Sequence, residues 1–282
     1  MLLVVKTSLT IISMRSRLFL KQSIFLQQVK TFVITGAGSG MGRATAILLS
    51  QDDDVHLVLA GRKKEPLSET ISLCKNPGQH FSAGIDIRGA DAWKKLYAEI
   101  NAPDLNISGL FANAGVGGEN HYGPKDWWEE VLSINLTGTY VSIMETLPHL
   151  VKSTELWRNI VITSSCLARF GVANYTAYCT TKTGLLGLTR ALALELAPDK
   201  ILVNAICPGW VETEMAKAGI QKLADRENIS YEESLSKQAS LVPLNKISSP
   251  DEVATLVKFL LTNQQTSITG QGIDINNGSF MI

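Results

Sequence analysis

One junction constrains this chain more than any other. Thr31-Phe32-Val33-Ile34-Thr35 is a short β-branched run that reads as a buried strand. It passes directly into Gly36-Ala37-Gly38-Ser39-Gly40-Met41-Gly42, and Arg43 to Leu49 then reads as a helix. Strand, glycine turn and helix in succession place exposed backbone N–H groups at a helix start, where a phosphate is favoured. The spacing is Thr-Gly-x-x-x-Gly-x-Gly, from Thr35 to Gly42, and not Gly-x-Gly-x-x-Gly. Glycines also mark ordinary tight turns. The position between a strand and a helix is what points to a nucleotide.

The same alternation continues to the end of the chain. Val55–Ala60 is the second strand, and Gly61-Arg62-Lys63-Lys64 stands where an NAD site usually carries an acid for the ribose hydroxyls. Arg62 can clamp a 2′-phosphate that an acid would repel, which favours NADP(H) over NAD(H). The alternative is a solvated basic loop. Phe81–Ile87 reads as the third strand. Asp86 at its end could accept from an adenine amino group while Ile87 packs on the ring, or Asp86 is simply a polar strand end. Ala92–Ile100 is helical by its apolar spacing. Ile107–Ala112 is the fourth strand and enters Asn113-Ala114-Gly115, small enough for close backbone approach. Trp127–Leu147 reads as one long helix. Within it Asn135 is a poor helix former and suggests a kink or a bound water, or else a tolerated polar face. Ile160–Ser165 and Ile201–Cys207 are the fifth and sixth strands, the latter closed by Pro208-Gly209. Residues from about 213 to 240 read as a lid of two short helices, or as an ungated surface hairpin. Pro250 to Leu261 opens with proline and acids, as a helix start should. Gly270–Gly278 closes the sheet as a seventh strand. Strand and helix alternating throughout means an α/β, doubly wound parallel sheet covered on both faces.

The candidate chemistry lies on the helix after the fifth strand. Tyr178 and Lys182 are one turn apart there and leave the same face. A cation close to a phenol favours the phenolate, so Tyr178 is expected to exchange a proton near neutral pH. Taken alone, the pair is also what an ordinary helix can show. The helix continues apolar on nearly every side, through Leu185, Leu186, Leu188, Leu192, Leu194 and Leu196. That pattern suggests a second buried face, and hence a subunit interface.

Composition removes several alternatives. The 26 basic and 26 acidic residues cancel, so no basic field argues for nucleic acid. Hydrophobic residues make up 45% and charged residues 18%, enough for a sizeable core. Cys74, Cys166, Cys179 and Cys207 are widely spaced and read as reduced thiols in a cytoplasmic setting. The histidines form no ligand pair, so no metal site is expected. Residues 1–29 carry Lys6, Arg15, Arg17 and Lys21 with no acid, and their apolar runs are too short to cross a membrane. They read as an N-terminal extension, with a mitochondrial leader as the alternative. The catalytic domain is expected over residues 30–282.

Six motifs in register carry a resemblance. They are the glycine turn at Thr35–Gly42, Asn113-Ala114-Gly115, Asn135, Ser165, Tyr178-x-x-x-Lys182 and Pro208-Gly209. From about residue 30 onward this set resembles the short-chain dehydrogenase/reductase family. The chain has Ala112 where the family often has a further asparagine, and its leader has no counterpart there. The resemblance implies that Tyr178 protonates a carbonyl oxygen as hydride arrives, or takes that proton back in reverse. Lys182 would lower the tyrosine pKa and hold the nicotinamide ribose. Ser165 would hydrogen-bond the same oxygen, and Asn135 would fix a water that feeds Lys182. It further implies cofactor contacts at Thr35, Gly36, Ser39, Gly40, Met41, Gly42, Asn113, Ala114, Gly115, Pro208, Gly209, Val211 and Thr213, the last near the carboxamide. Val116, Cys166, Phe170, Tyr175, Trp210 and Met215 would line the substrate pocket. The long lid resembles that of 3-oxoacyl and polyketide ketoreductases and of 3-hydroxybutyrate dehydrogenases, which implies a β-keto substrate, while the apolar helix at Leu185–Leu196 points to a homotetramer or homodimer. An NAD-dependent alcohol or 3-hydroxy acid dehydrogenase stays open, as does a non-catalytic cofactor-binding regulator.

Overall fold

The computed structural model describes residues 29–101, 105–150 and 156–281, so the expectations for the leader up to residue 28 lie outside the described residues. The strands are Lys30–Thr35 (β1), Val55–Gly61 (β2), Phe81–Gly84 (β3), Ile107–Ala112 (β4), Arg158–Thr163 (β5), Ile201–Pro208 (β6) and Gly272–Ile275 (β7). They form one seven-stranded sheet in the order β3-β2-β1-β4-β5-β6-β7, every pair parallel. From β1 the chain first winds outward to β3 and then crosses to β4 on the other side of β1. That reversal opens a crevice at the carboxyl ends of β1 and β4, where open α/β sheets bind ligands.

Both faces are covered by helices. Successive residues of a strand point to opposite faces, and β1 divides its side chains accordingly. Phe32 and Ile34 pack with Leu49 of helix Gly40–Leu49 (α1) and Leu67 of helix Lys64–Leu73 (α2). Val253, Val257 and Leu260 of helix Pro250–Leu261 (named α9 below) complete that layer. Val33 faces the other way, into a cluster with Trp93, Leu96 and Tyr97 of helix Ala90–Glu99 (α3). The same cluster takes Leu185, Leu192 and Leu196 from helix Thr176–Leu196 (named α6 below). Each fully buried large apolar side chain contributes about 1.5–3 kcal/mol relative to exposure. Helices of this length gain most of their stability from such packing rather than from propensity.

Three expectations are corrected in detail. β3 stops at Gly84 and β7 spans only Gly272–Ile275, so Asp86 and Ile87 lie in the loop after β3. β5 ends at Thr163, and Ser165 begins the next turn, its hydroxyl accepting from Leu167 N–H at 3.1 Å. The long helix is three pieces: an α-turn at Trp128–Leu132 (α4), a π-turn at Ser133–Gly138, and helix Thr139–Leu150 (α5). Asn135 sits in the π-turn, where one extra residue is absorbed and backbone carbonyls fall out of register. After β6, the expected lid is two helices, Glu214–Glu227 (α7) and Tyr231–Ser240 (α8), followed by α9. α9 starts on a capping box formed by Ser249 and Glu252. Among the described residues no helix is long and apolar enough to cross a membrane, and no group of three or more His, Cys, Asp or Glu could hold a metal.

Candidate active site

The glycine turn is tight because it must be. Gly36 and Gly40 have φ of 65° and 51°, a region that favours glycine. A Cβ on Gly42 would strike the Gly36 carbonyl, and one on Gly36 would lie 2.9 Å from the Ala114 Cα. The turn is therefore pressed against the end of β4. Thr35 locks the two together: its hydroxyl oxygen accepts from the N–H groups of both Asn113 and Ala114, each at 2.9 Å. Ser39, at the N-cap of α1, makes no side-chain cap bond. The first N–H groups of α1 thus have neither a partner within the helix nor a side-chain cap from Ser39. A tight glycine turn leading into uncapped helix donors fits the pyrophosphate of a dinucleotide.

The candidate catalytic groups meet one layer further on. A Cβ at Gly115 would sit 3.1 Å from Asn135 Oδ1 and 3.6 Å from Lys182 Nζ. Asn135 Oδ1 accepts from Val116 N–H, and its Nδ2 donates to the Val116 carbonyl, both at 2.8 Å. Nδ2 also donates to the Thr181 hydroxyl at 3.3 Å. Both amide protons are therefore committed to protein partners. Lys182 is 4% exposed and donates to the Thr163 carbonyl at 2.8 Å. Its ammonium lies 5.5 Å from the Tyr178 ring centroid, and the Tyr178 hydroxyl hydrogen-bonds Ser165. Asn135 and Lys182 thus border Gly115 and Tyr178 borders Gly117, just after the Ala114 on which the glycine turn is pressed, and Ser165 joins them through Tyr178.

The expected acidification of Tyr178 is not what the geometry gives. Burial pushes the phenol up to about 12, and the Ser165 hydrogen bond only partly offsets it. Burial also pulls Lys182 down to about 8. Desolvation disfavours whichever form is charged, so it moves the two groups in opposite directions. The Lys182 ammonium is held on the Thr163 carbonyl, 5.5 Å from the Tyr178 ring centroid.

The remaining candidates fall in several places. Thr213 caps α7, and its methyl group lies 2.9 Å from where a Gly40 Cβ would be, so it borders the glycine turn. Val211 is buried and bridges to Ser248. Gly209 packs on Asn276, next to Pro208 at the end of β6. Ile87 packs against Gly138, and Asp86 pairs with Arg88 at 2.6 Å, which holds its carboxyl below the usual range. Met41 packs against the core, and Arg62 is exposed. Around Tyr178, Tyr175 stands edge-on at 6.5 Å between centroids, and Met215 and Tyr178 both border Gly117. Cys166 is buried beside Ser165, and burial raises its thiol pKa. Phe170 pairs with Phe280 at 5.8 Å, and Trp210 packs on Gly219 of α7.

Two residues of the site gave no signal in the sequence. Thr163 holds Lys182 through its carbonyl and Asn113 Oδ1 through its hydroxyl, at 3.1 Å. Thr181 joins Asn135 to the Tyr178 carbonyl, the latter at 2.9 Å. Only Thr163's place at a strand end could have flagged it.

Comparison with known proteins agrees with this geometry. Residues 30–224 match the family model described as short chain dehydrogenase. A 3-oxoacyl-(acyl-carrier-protein) reductase of Aquifex aeolicus is 32% identical over 90% of this chain and 98% of its own length. The crystal structure of actinorhodin polyketide ketoreductase with NADPH superposes with a TM-score of 0.83 at 29% identity, covering 90% of this chain and 98% of that one. Carveol dehydrogenase of Mycobacterium avium, in complex with NAD, gives a TM-score of 0.79 at 26% identity, covering 89% and 97%.

Proposed function

The chain belongs to the short-chain dehydrogenase/reductase family and is an NAD(P)-dependent oxidoreductase; from that premise we propose that it reduces a β-keto carbonyl, such as a 3-oxoacyl thioester, with NADPH. The observation that carries the reading is the convergence of Ser165, Tyr178 and Lys182 beside the glycine turn. When bound, the dihydronicotinamide supplies the hydride. As negative charge grows on the carbonyl oxygen, the preset hydroxyls of Ser165 and Tyr178 stabilise it, and Tyr178 gives up its proton. A phenol that burial keeps protonated is suited to that donation.

Lys182, with one N–H bound to Thr163, has two left for the nicotinamide ribose. Because both amide protons of Asn135 are spent, a water relaying protons to Lys182 would rest on carbonyls that the π-turn frees. Thr35, Gly36, Ser39, Gly40, Met41, Gly42, Asn113, Ala114 and Gly115 form the cofactor cradle, with Pro208, Gly209, Val211 and Thr213 along its far edge. Arg62 sits at the end of β2, where a 2′-phosphate would lie, which supports NADP(H) over NAD(H). Tyr175 and Met215 border the reacting groups and favour an apolar substrate arm. Helices α7 and α8 form the lid, and the domain runs from residue 30 to the C-terminus. The four cysteines, all free thiols, support a cytoplasmic setting.

Tyr178→Phe removes the proton and leaves the cradle. Turnover of a β-keto ester should fall at least about 1,000-fold while NADPH still binds. Undiminished turnover would overturn Tyr178 as the proton donor, whereas a panel of ketones and alcohols giving no cofactor oxidation or reduction would favour the alternative of a cofactor-binding regulator.

A further inference from the structure

The helix carrying Tyr178 and Lys182 starts without a cap of its own. Tyr175, at its N-cap, makes no side-chain cap bond. The first N–H groups of any helix lack partners inside it. Here one of them is met from a distant loop. Asn120, between β4 and α4, accepts through Oδ1 from Ala177 N–H at 3.1 Å and from the Thr176 hydroxyl at 2.9 Å. Its own N–H donates to the Asn174 carbonyl at 2.7 Å, and Asn174 stands in the left-handed region with φ of 66°. Its Nδ2 donates to Asp126 Oδ1 at 3.3 Å, and the same oxygen accepts from Trp128 N–H at 3.0 Å. Asn120 is 7% exposed.

One buried amide therefore ties together the starts of two helices. α4 leads into the π-turn that carries Asn135, and α6 carries Tyr178 directly after Ala177. We propose that Asn120 is a positioning residue for the reaction, a cap supplied from the β4–α4 loop that fixes the height of the Tyr178 hydroxyl above the cofactor. This rests on the reading of Tyr178 as proton donor. Misplacing a reacting group by about 1 Å is enough to cost about a hundredfold in rate. The requirement is for an acceptor at Oδ1, so a carboxylate at residue 120 serves where a methyl cannot.

The test uses the full chain with a β-keto ester and NADPH. Asn120→Ala should lower kcat about tenfold or more, with the Kd for NADPH unchanged within about twofold. Asn120→Asp should recover most of that loss, and adding Asp126→Asn should recover more, because the amide at residue 126 then donates to the carboxylate at residue 120 and the bond between them is re-formed in the reverse direction. Hydrogen exchange gives a second reading: Asn120→Ala should speed exchange at residues 176–179 and leave residues 185–192 protected. Should Asn120→Ala leave kcat within twofold, or Asn120→Asp be as slow as Asn120→Ala, the positioning role is wrong. Tyr178→Phe, run alongside, separates the two ideas. Activity that survives Tyr178→Phe removes the proton donor itself, whereas activity that survives only Asn120→Ala removes the cap.

Discussion

Burial acts on Tyr178 and Lys182 in opposite senses, and the pH dependence follows. The phenol, pushed up to about 12, keeps its proton through the working range. The ammonium, pulled down to about 8, is the group that titrates first. Below that pH Lys182 is charged and can hold the ribose; above it the charge is lost. Carbonyl reduction should therefore have a kcat/KM that falls about tenfold per pH unit above about pH 8. In Lys182→Arg, whose guanidinium stays charged, the residual activity should lack that fall. A flat wild-type profile to pH 10 would count against the assignment. Stability responds with the opposite sign. An unfolded chain binds the Lys182 proton more tightly, so this group's penalty on folding is present at low pH and fades as pH rises past about 8. Arg62 carries a separate prediction. It is exposed, so its substitution should leave the fold intact. Arg62→Asp should weaken NADPH at least about tenfold and NADH little, measured by quenching of protein fluorescence. Equal wild-type affinities for the two would overturn the preference for NADP(H).

Element by element, what could be read in advance depended on how local its cause was. β1, β2 and β4 appear as apolar runs because parallel strands are buried on both faces. The start of α9 is visible as Pro250, Asp251 and Glu252, since caps and dipoles act within one turn. Asn135 announced a break in the long helix, but not its kind. The π-turn accompanies a paired bond between the Asn135 side-chain amide and the Val116 backbone, a contact between different segments of the chain. The edge strands β3 and β7 were overestimated for a related reason. Their ends are set by where the neighbouring strand stops offering partners, not by their own composition. α6 differs most from its pattern. Its sheet face buries Leu185, Leu186, Leu192 and Leu196, while Thr176, Thr180, Thr183 and Arg190 are exposed on the outer side with Leu194.

At the scale of the molecule, that outer side is the argument for an oligomer. Leu194 is 81% exposed on a helix whose other face is already spent on the core. We expect light scattering at micromolar concentration to give the mass of a dimer or tetramer, and Leu194→Glu to lower it. A wild-type monomer at that concentration would remove the proposal. Among its relatives the chain is matched over nearly its whole length, so the fold and the class of reaction are common property. The alternation of strand and helix, the glycine turn and the one-turn spacing of Tyr178 and Lys182 follow from neighbouring residues alone, because periodicity and steric limits act locally. The protonation of that pair, the anchor of Lys182 on Thr163 and the capping of α6 by Asn120 do not. Each depends on solvent exclusion or on partners distant in the chain, and these exist only once the sheet has closed.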